Sequence, residues 1–291
     1  MLAVASHGSG AITNFTGGVI NSTNWDNGEP TGGDQGVINT NGNWDGTIDN
    51  YDIRHIGGTI TPNGFKTSGW SLGTSVTFEV DGGIISSTRG MTLGSGSAFT
   101  LTSGTVNYTA NGTADVRANS ASLEITSGTF DLARNLLIYG NGSSFTISGG
   151  IATIGGEIRD NGFGTGNATI QFNGGTTTAD SFNFPVAGES VTFGGSTAGS
   201  LELTVALGTV APLDWLGGSL MELTIAGADQ AFYEGLFTSG DLLFEGSNAG
   251  SFGDNFQVSG STLSLAVIPE PSALALLAGG LLVGALRRQR S

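Results

Sequence analysis

The chain has 291 residues, 51 of them glycine, no cysteine, only 11% charged residues and a formal charge of −15. Those numbers exclude disulfide scaffolds, thiolate nucleophiles and Cys-ligated zinc. They also exclude an ordinary charge-coated helical protein and, because a strongly acidic body repels phosphate, a nucleic-acid binder. Val, Ile, Leu and Phe recur in short runs between Gly, Asn, Ser and Thr, the texture of many short strands joined by tight turns rather than of disorder.

In chain order, Met1-Leu2-Ala3-Val4-Ala5 reads as the small-residue end of an export cleavage site whose basic start and apolar core are missing. Residues 1–56 hold Asn24-Trp25-Asp26-Asn27-Gly28 and Asn43-Trp44-Asp45-Gly46, and are expected to form the first coils and an N-terminal cap. Trp25, Trp44 and Trp70 are candidates for a sugar-stacking platform, against the plainer reading of cap core. Asp26, Asp34, Asp45, Asp49 and Asp52 crowd this region. Charge alone would allow structural calcium, but neither an EF-hand spacing nor a glycine-rich nonapeptide calcium repeat is present. No other metal and no cofactor is expected. Of the two histidines, His7 and His55, only His55 lies near acids, in Asp52-Ile53-Arg54-His55-Ile56, and no nucleophile-elbow sequence accompanies it. A turn or surface histidine is the expectation.

Residues 57–199 carry a repeat. Gly57-Gly58, Gly82-Gly83, Gly104, Gly128, Gly149-Gly150 and Gly174-Gly175 recur every 20–25 residues, with Gly194-Gly195 and Gly217-Gly218 as weaker copies. Before each turn the chain alternates, as in Phe99-Thr100-Leu101-Thr102 and Phe145-Thr146-Ile147-Ser148, the period-two signature of a strand with one buried face. A second apolar element follows in mid-repeat, at Met91-Thr92-Leu93 and Leu136-Leu137-Ile138. One unit cannot bury its apolar face alone, whereas stacked copies close a continuous interior. The expected fold is therefore all-β, a parallel β-helix (right-handed by default) of 20–25-residue coils, with an antiparallel sandwich array as the rival. These repeats resemble autotransporter-passenger-like and pectate-lyase-like solenoids in period and composition.

Within the coils, Arg89, Arg134 and Arg159 fall 10 or 11 residues before Phe99, Phe145 and Ile170, a spacing that predicts a stacked ladder. Asp49 with Asp52, or Asp131 with Asp160, would be the carboxylate pairs of an exported polysaccharide lyase or hydrolase. No long loop interrupts the repeat to build such a site, so the leading expectation is a protein that is not an enzyme. Residues 200–267 lose the clean repeat, gain Trp215, Phe232, Tyr233, Phe237 and Phe244, and read as a C-terminal cap or small β-element. The linker beyond it is only a few residues long.

Residues 268–291 are different in kind. Pro269-Glu270-Pro271 blocks continuation of a strand, Ala273 to Leu286 is uncharged, and Arg287, Arg288 and Arg290 end the chain. Pro271 suits a first helical turn, and the arginines favour a cytoplasmic end. Sixteen residues from Pro271 to Leu286 rise about 24 Å as a helix against about 30 Å of hydrocarbon, so a short transmembrane helix here would make a marginal anchor. This tail resembles the PEP-CTERM sorting signal. The resemblance implies that Pro269, Glu270 and Pro271 form the recognition motif, Ala273 to Leu286 the transient inner-membrane anchor, and Arg287, Arg288 and Arg290 the cytoplasmic stop. It further implies processing by an exosortase and delivery to the cell surface or extracellular matrix, in association with exopolysaccharide, in a Gram-negative-type bacterium. The leading reading is thus a non-catalytic exported surface or matrix protein, structural or adhesive.

Overall fold

The computed structural model describes residues 12–20, 25–26, 30–31, 34–44, 47–48, 52–62, 70–109, 115–160, 167–184, 189–210 and 212–266, with backbone alone at 18–20, 44, 47, 70 and 209–210. The chain winds into a solenoid of about eight turns. It has three strand stacks, which we call faces A, B and C in the order the chain meets them. Face A stacks Ile12–Asn14, Gln35–Asn39 and Asp52–Gly57, then residues 77–80, 98–101, 122–125, 144–147, 169–172, 190–193, 213–215 and 242–244. Face B runs from Gly18–Ile20 through Gly42–Trp44, Thr59–Pro62, 84–87, 105–108, Thr129–Leu132, 151–154, 176–179 and 199–203 to Met221–Ile225. Face C stacks Thr47–Ile48, Trp70–Leu72, Met91–Leu93, Val116–Asn119, Leu136–Tyr139, 157–159, 181–184 and 206–210. Every pairing along these three stacks is parallel, so the rival sandwich array is ruled out. The parallel layers run on past residue 199, through Met221–Ile225 and Leu242–Phe244.

Alternation sends every second side chain inward, and in-register stacking turns those side chains into columns. On face A, Phe78, Phe99, Leu123, Phe145 and Ile170 are consecutive in one column, and Val80, Leu101, Ile125, Ile147 and Phe172 in the next, all buried. Burying each such side chain contributes roughly 1.5–3 kcal/mol, so the stack and not any one coil carries the stability.

The corner between faces A and B explains the glycine period. Gly58, Gly83, Gly104, Gly128, Gly150 and Gly175 lie above one another with φ between 71° and 88°. A Cβ on Gly83, Gly104, Gly128 or Gly150 would stand 2.6 Å from the carbonyl oxygen of the glycine one coil below. Glycine is required twice here, for the left-handed backbone and for the close approach. Gly194-Gly195 and Gly217-Gly218 do not extend this column. Its next member is Gly199, where a Cβ would meet the Gly175 oxygen at 2.4 Å, and Met221 closes it, Sδ 2.7 Å from that same Cβ position. Gly175 follows Phe172 by three residues and Gly199 follows Phe193 by six, so the turn is longer here and the period slips.

The C-terminal end is closed by a different kind of structure. Helix α1 (Gln230–Ser239) begins where Asp229 accepts the Phe232 N–H at 2.9 Å and ends at left-handed Gly240. The sequence reading of this stretch held no helix. Yet an N-cap aspartate, apolar Tyr233 and Phe237 four apart, and a glycine just past the end were legible signals. A four-residue turn, α2 (Phe252–Asn255), leads into a hairpin of Phe256–Ser259 and Thr262–Leu265. Its last strand lies antiparallel on Met221–Ile225, covering the face B edge that would otherwise invite pairing with another chain. Phe256 packs 5.8 Å from Trp215, 5.9 Å from Phe237 and 5.5 Å from Phe252, and Trp215 stacks on Phe193 at 3.8 Å.

Candidate functional site

Two parts of the chain bear on function: the outward faces of the column and the segment that follows the cap in sequence. On face B the outward positions form two ranks. One contains Thr59, Ile84, Thr105, Thr129, Ile151 and Thr176; the other Thr61, Ser86, Asn107, Asp131, Thr153 and Thr178. Successive members are about 4.8 Å apart by strand spacing. Asp131 is the only charge among these twelve. Ile84 and Ile151 are 44% and 50% exposed, so the ranks are a mixed array of hydroxyls and methyls. Near its start, Asn41, Gly42, Asn43, Thr59 and Thr61 line an open depression of 270 Å³.

In the last two layers the ranks continue as Ser200 and Glu222, and as Glu202 and Thr224, so their final layers are acidic; the ion pairs among the described residues lie on the other faces. Arg54 pairs with Asp81 and, at 3.5 Å, with Glu79. The Arg54 guanidinium, and then the Thr102 hydroxyl, hold the Asp81 carboxyl below the usual range. Arg117 and Arg134 share Asp115 at 3.5 and 3.8 Å, and Arg159 pairs with Glu157 at 3.1 Å. The predicted arginine ladder does not form. Arg159 stacks in register between Leu137 and Asn183, whereas Arg89 and Arg134 precede their strands by two residues.

Of the candidate carboxylate pairs, Asp131 and Asp160 do not come together. Asp131 points outward on face B between Asn107 and Thr153, while Asp160 is buried at the end of a face C strand. Asp49 lies outside the described residues, and Asp52 accepts the Thr77 N–H at 2.8 Å. His55 is not a surface residue. It stands in the inward face A column beneath Val80, fully buried, with neither ring nitrogen hydrogen-bonded. Burial pushes its pKa below the ordinary imidazole value, and the backbone of Gly57 and Gly58 offsets this only in part. A Cβ at Gly83 would sit 2.8 Å from the ring, so the repeat glycine also makes room for it.

Trp25 is buried and meets Phe15 edge-on at 5.5 Å, which takes its ring away from solvent. Trp44 and Trp70 lie in strands, but their side chains are outside the described residues. Asp26 is bonded to Asn14 and Asp34 to Thr31; Asp45 lies outside the described residues. Among the described residues no three His, Asp or Glu side chains are grouped to hold a metal ion.

The last described residue is Ala266, whose N–H donates to the Asn255 oxygen at 2.9 Å. Pro269, Glu270, Pro271, Arg287, Arg288 and Arg290 follow and lie outside the described residues, as does the expected membrane helix. Among the described residues no helix is long and apolar enough to cross a membrane. Residues 267–290 match the PEP-CTERM protein-sorting motif. The molecule is thus a β-solenoid bearing a C-terminal sorting signal. That signal implies a protein exported with a C-terminal membrane anchor and then processed by an exosortase. No curated protein and no solved structure matches the chain.

Proposed function

We propose that this chain is a non-catalytic structural and adhesive protein of the cell surface or extracellular matrix, released there after its sorting tail is removed. The observation that carries the reading is the pair of face B ranks: from Thr59 to Thr178 twelve outward positions hold one charge, with Glu202 and Glu222 entering only in the last two layers, on a chain of net charge −15. A flat array of threonine hydroxyls and methyls matches the alternating hydroxyl and C–H surfaces of a polysaccharide strand. The stacked parallel coils make the column stiff enough to present that array over a long span. The partner is then an exopolysaccharide of the surrounding matrix.

The test is co-sedimentation of the purified column with matrix polysaccharide, comparing wild type with Thr176→Glu/Thr178→Glu. Both threonines point outward, so the fold survives and binding falls at least about tenfold, the equivalent of 1.4 kcal/mol. Equal binding by the two proteins would remove the adhesive role of this face. Release of new reducing ends would replace it with the lyase or hydrolase reading.

A further inference from the structure

The cap carries a hollow that contains none of the face B residues. Helix α1 and the loop that follows Ser247 flank an open depression of 480 Å³, lined by Glu234, Phe237 and Thr238 from the helix and by Asn248, Ser251 and Phe252 from the loop. That volume is usual for a small-ligand site. Both walls are held in place. Asp229 and Gly240 cap the two ends of α1, and the Thr238 hydroxyl donates back to the Glu234 carbonyl oxygen at 2.8 Å. The Asn248 side-chain amide ties the loop to the helix by donating to the Phe237 oxygen at 3.1 Å. The Gly246 N–H ties it to the column by donating to the Asp214 carboxylate at 2.8 Å. Walls fixed in advance lose little freedom when a ligand binds.

The lining keeps hydrogen-bonding capacity in reserve. Glu234 receives the Gln230 amide on Oε1 at 2.7 Å, which orients the carboxylate and leaves Oε2. Among the described residues no cation pairs with it. Asn248 spends a nitrogen donor on Phe237, which fixes the amide and leaves Oδ1 as an acceptor. Ser251 stands at the N-cap of α2, where a serine ordinarily accepts a backbone N–H, yet its side chain caps nothing. Phe237 and Phe252, with ring centroids 6.0 Å apart at 71°, supply the apolar part of the lining. Two oxygen acceptors and a hydroxyl beside aromatic carbon suit a ligand with several O–H donors on one side and C–H groups on the other. A pyranose ring has that make-up. Its neighbouring hydroxyls can make charge-assisted bonds to one carboxylate, and the unpaired negative charge turns away uronate and sulfated sugars. We propose that this hollow is a saccharide site for one neutral pyranose unit, with Glu234, Asn248 and Ser251 taking its hydroxyls and Phe252 its C–H face. The site is independent of the face B array, and neither needs the other.

The test is titration of the full-length chain, in a sugar-free detergent, with the methyl glycosides of glucose, galactose and mannose, followed by backbone amide NMR shifts. At least one glycoside is expected to give saturable shifts at millimolar concentration, confined to residues 234–238 and 248–253. Glucuronate should give none of them. Glu234 is exposed, so Glu234→Gln keeps the fold; it should weaken binding at least about tenfold and reduce the discrimination against glucuronate. Phe252→Leu keeps the apolar volume but removes the aromatic face, and should weaken binding about threefold or more. The proposal is overturned if no glycoside shifts these amides, or if the shifts survive Glu234→Gln unchanged. Glucuronate binding as well as the neutral sugars would overturn it too. Calcium chloride giving the same shifts would make the hollow a cation site instead.

Discussion

The middle coils and the C-terminal cap solve the same problem in opposite ways. From residue 77 to 160 each strand finds, one coil above and below, a neighbour of the same kind, in parallel register and with a glycine at the same corner. The cap has no next coil, so it ends the stack with an antiparallel hairpin, two helices and a knot of aromatic rings around Phe256. Charge follows the same division. Arg54, Arg89, Arg117, Arg134 and Arg159 are all in the earlier coils, Lys66 also precedes residue 160 in the sequence, and no lysine or arginine occurs between Arg159 and Arg287. Repetition supplies rigidity through registration; termination needs bulky, non-repeating chemistry.

The sharpest way to break that comparison is a glycine substitution in each region. Gly128→Ala puts a Cβ 2.6 Å from the Gly104 oxygen at φ 79°, against backbone that cannot swing away. It should cost roughly 3–5 kcal/mol in denaturant unfolding. Gly227→Ala, at φ 76° with nothing within 4 Å, should cost only the backbone strain of about 1–2 kcal/mol. Equal effects would mean that the stacked corner is not what fixes the register.

Next in size is Phe256→Ala. It removes the ring shared by Trp215, Phe237, Phe244 and Phe252 and should cost about 3 kcal/mol. Hydrogen exchange should rise in residues 230–266 while the strands at 98–172 stay protected. Uniform loss of protection would show that cap and coils unfold as one unit.

A smaller effect tests the interior of the coils. His55 is held neutral, with its pKa below the ordinary 6.5. The unfolded chain therefore binds a proton that the folded chain refuses, and stability is full above about pH 6.5 and lost as pH falls below it. His55→Leu should raise stability by about 1–2 kcal/mol by removing unsatisfied buried nitrogens. It should also flatten the difference between thermal midpoints measured at pH 7.5 and 5.5. An unchanged pH profile in His55→Leu would place the titrating group elsewhere. The smallest change is expected from Arg54→Ala, since its partners Glu79 and Asp81 are both partly open to water and surface pairs are screened.

The coils were readable in the sequence because their physics is local and repeated. Alternation at Phe99-Thr100-Leu101 names the buried side, and the spacing of Gly83, Gly104 and Gly128 names the corner. What escaped depends on single events. The longer turn that moves the corner from Gly195 to Gly199 breaks the period once. His55 looked like a turn residue because its column is apolar at every described layer above it, and one sequence gives no sign that a column will accept an imidazole. Helix α1 was hidden among aromatic residues that read as β-structure, although Asp229 and Gly240 marked its ends. The sorting tail was the most legible feature of all, since Pro-Glu-Pro, an uncharged run and terminal arginines follow in order.

The most direct test of the central claim is mass spectrometry of the C-terminus of the native protein recovered from the cell-surface fraction. A mature end close to Pro269–Ser272, without the leucine-rich run and Arg290, is the predicted result, and it would place the folded column outside the cell. Recovery only of chains ending at Ser291, confined to the inner membrane, would contradict it.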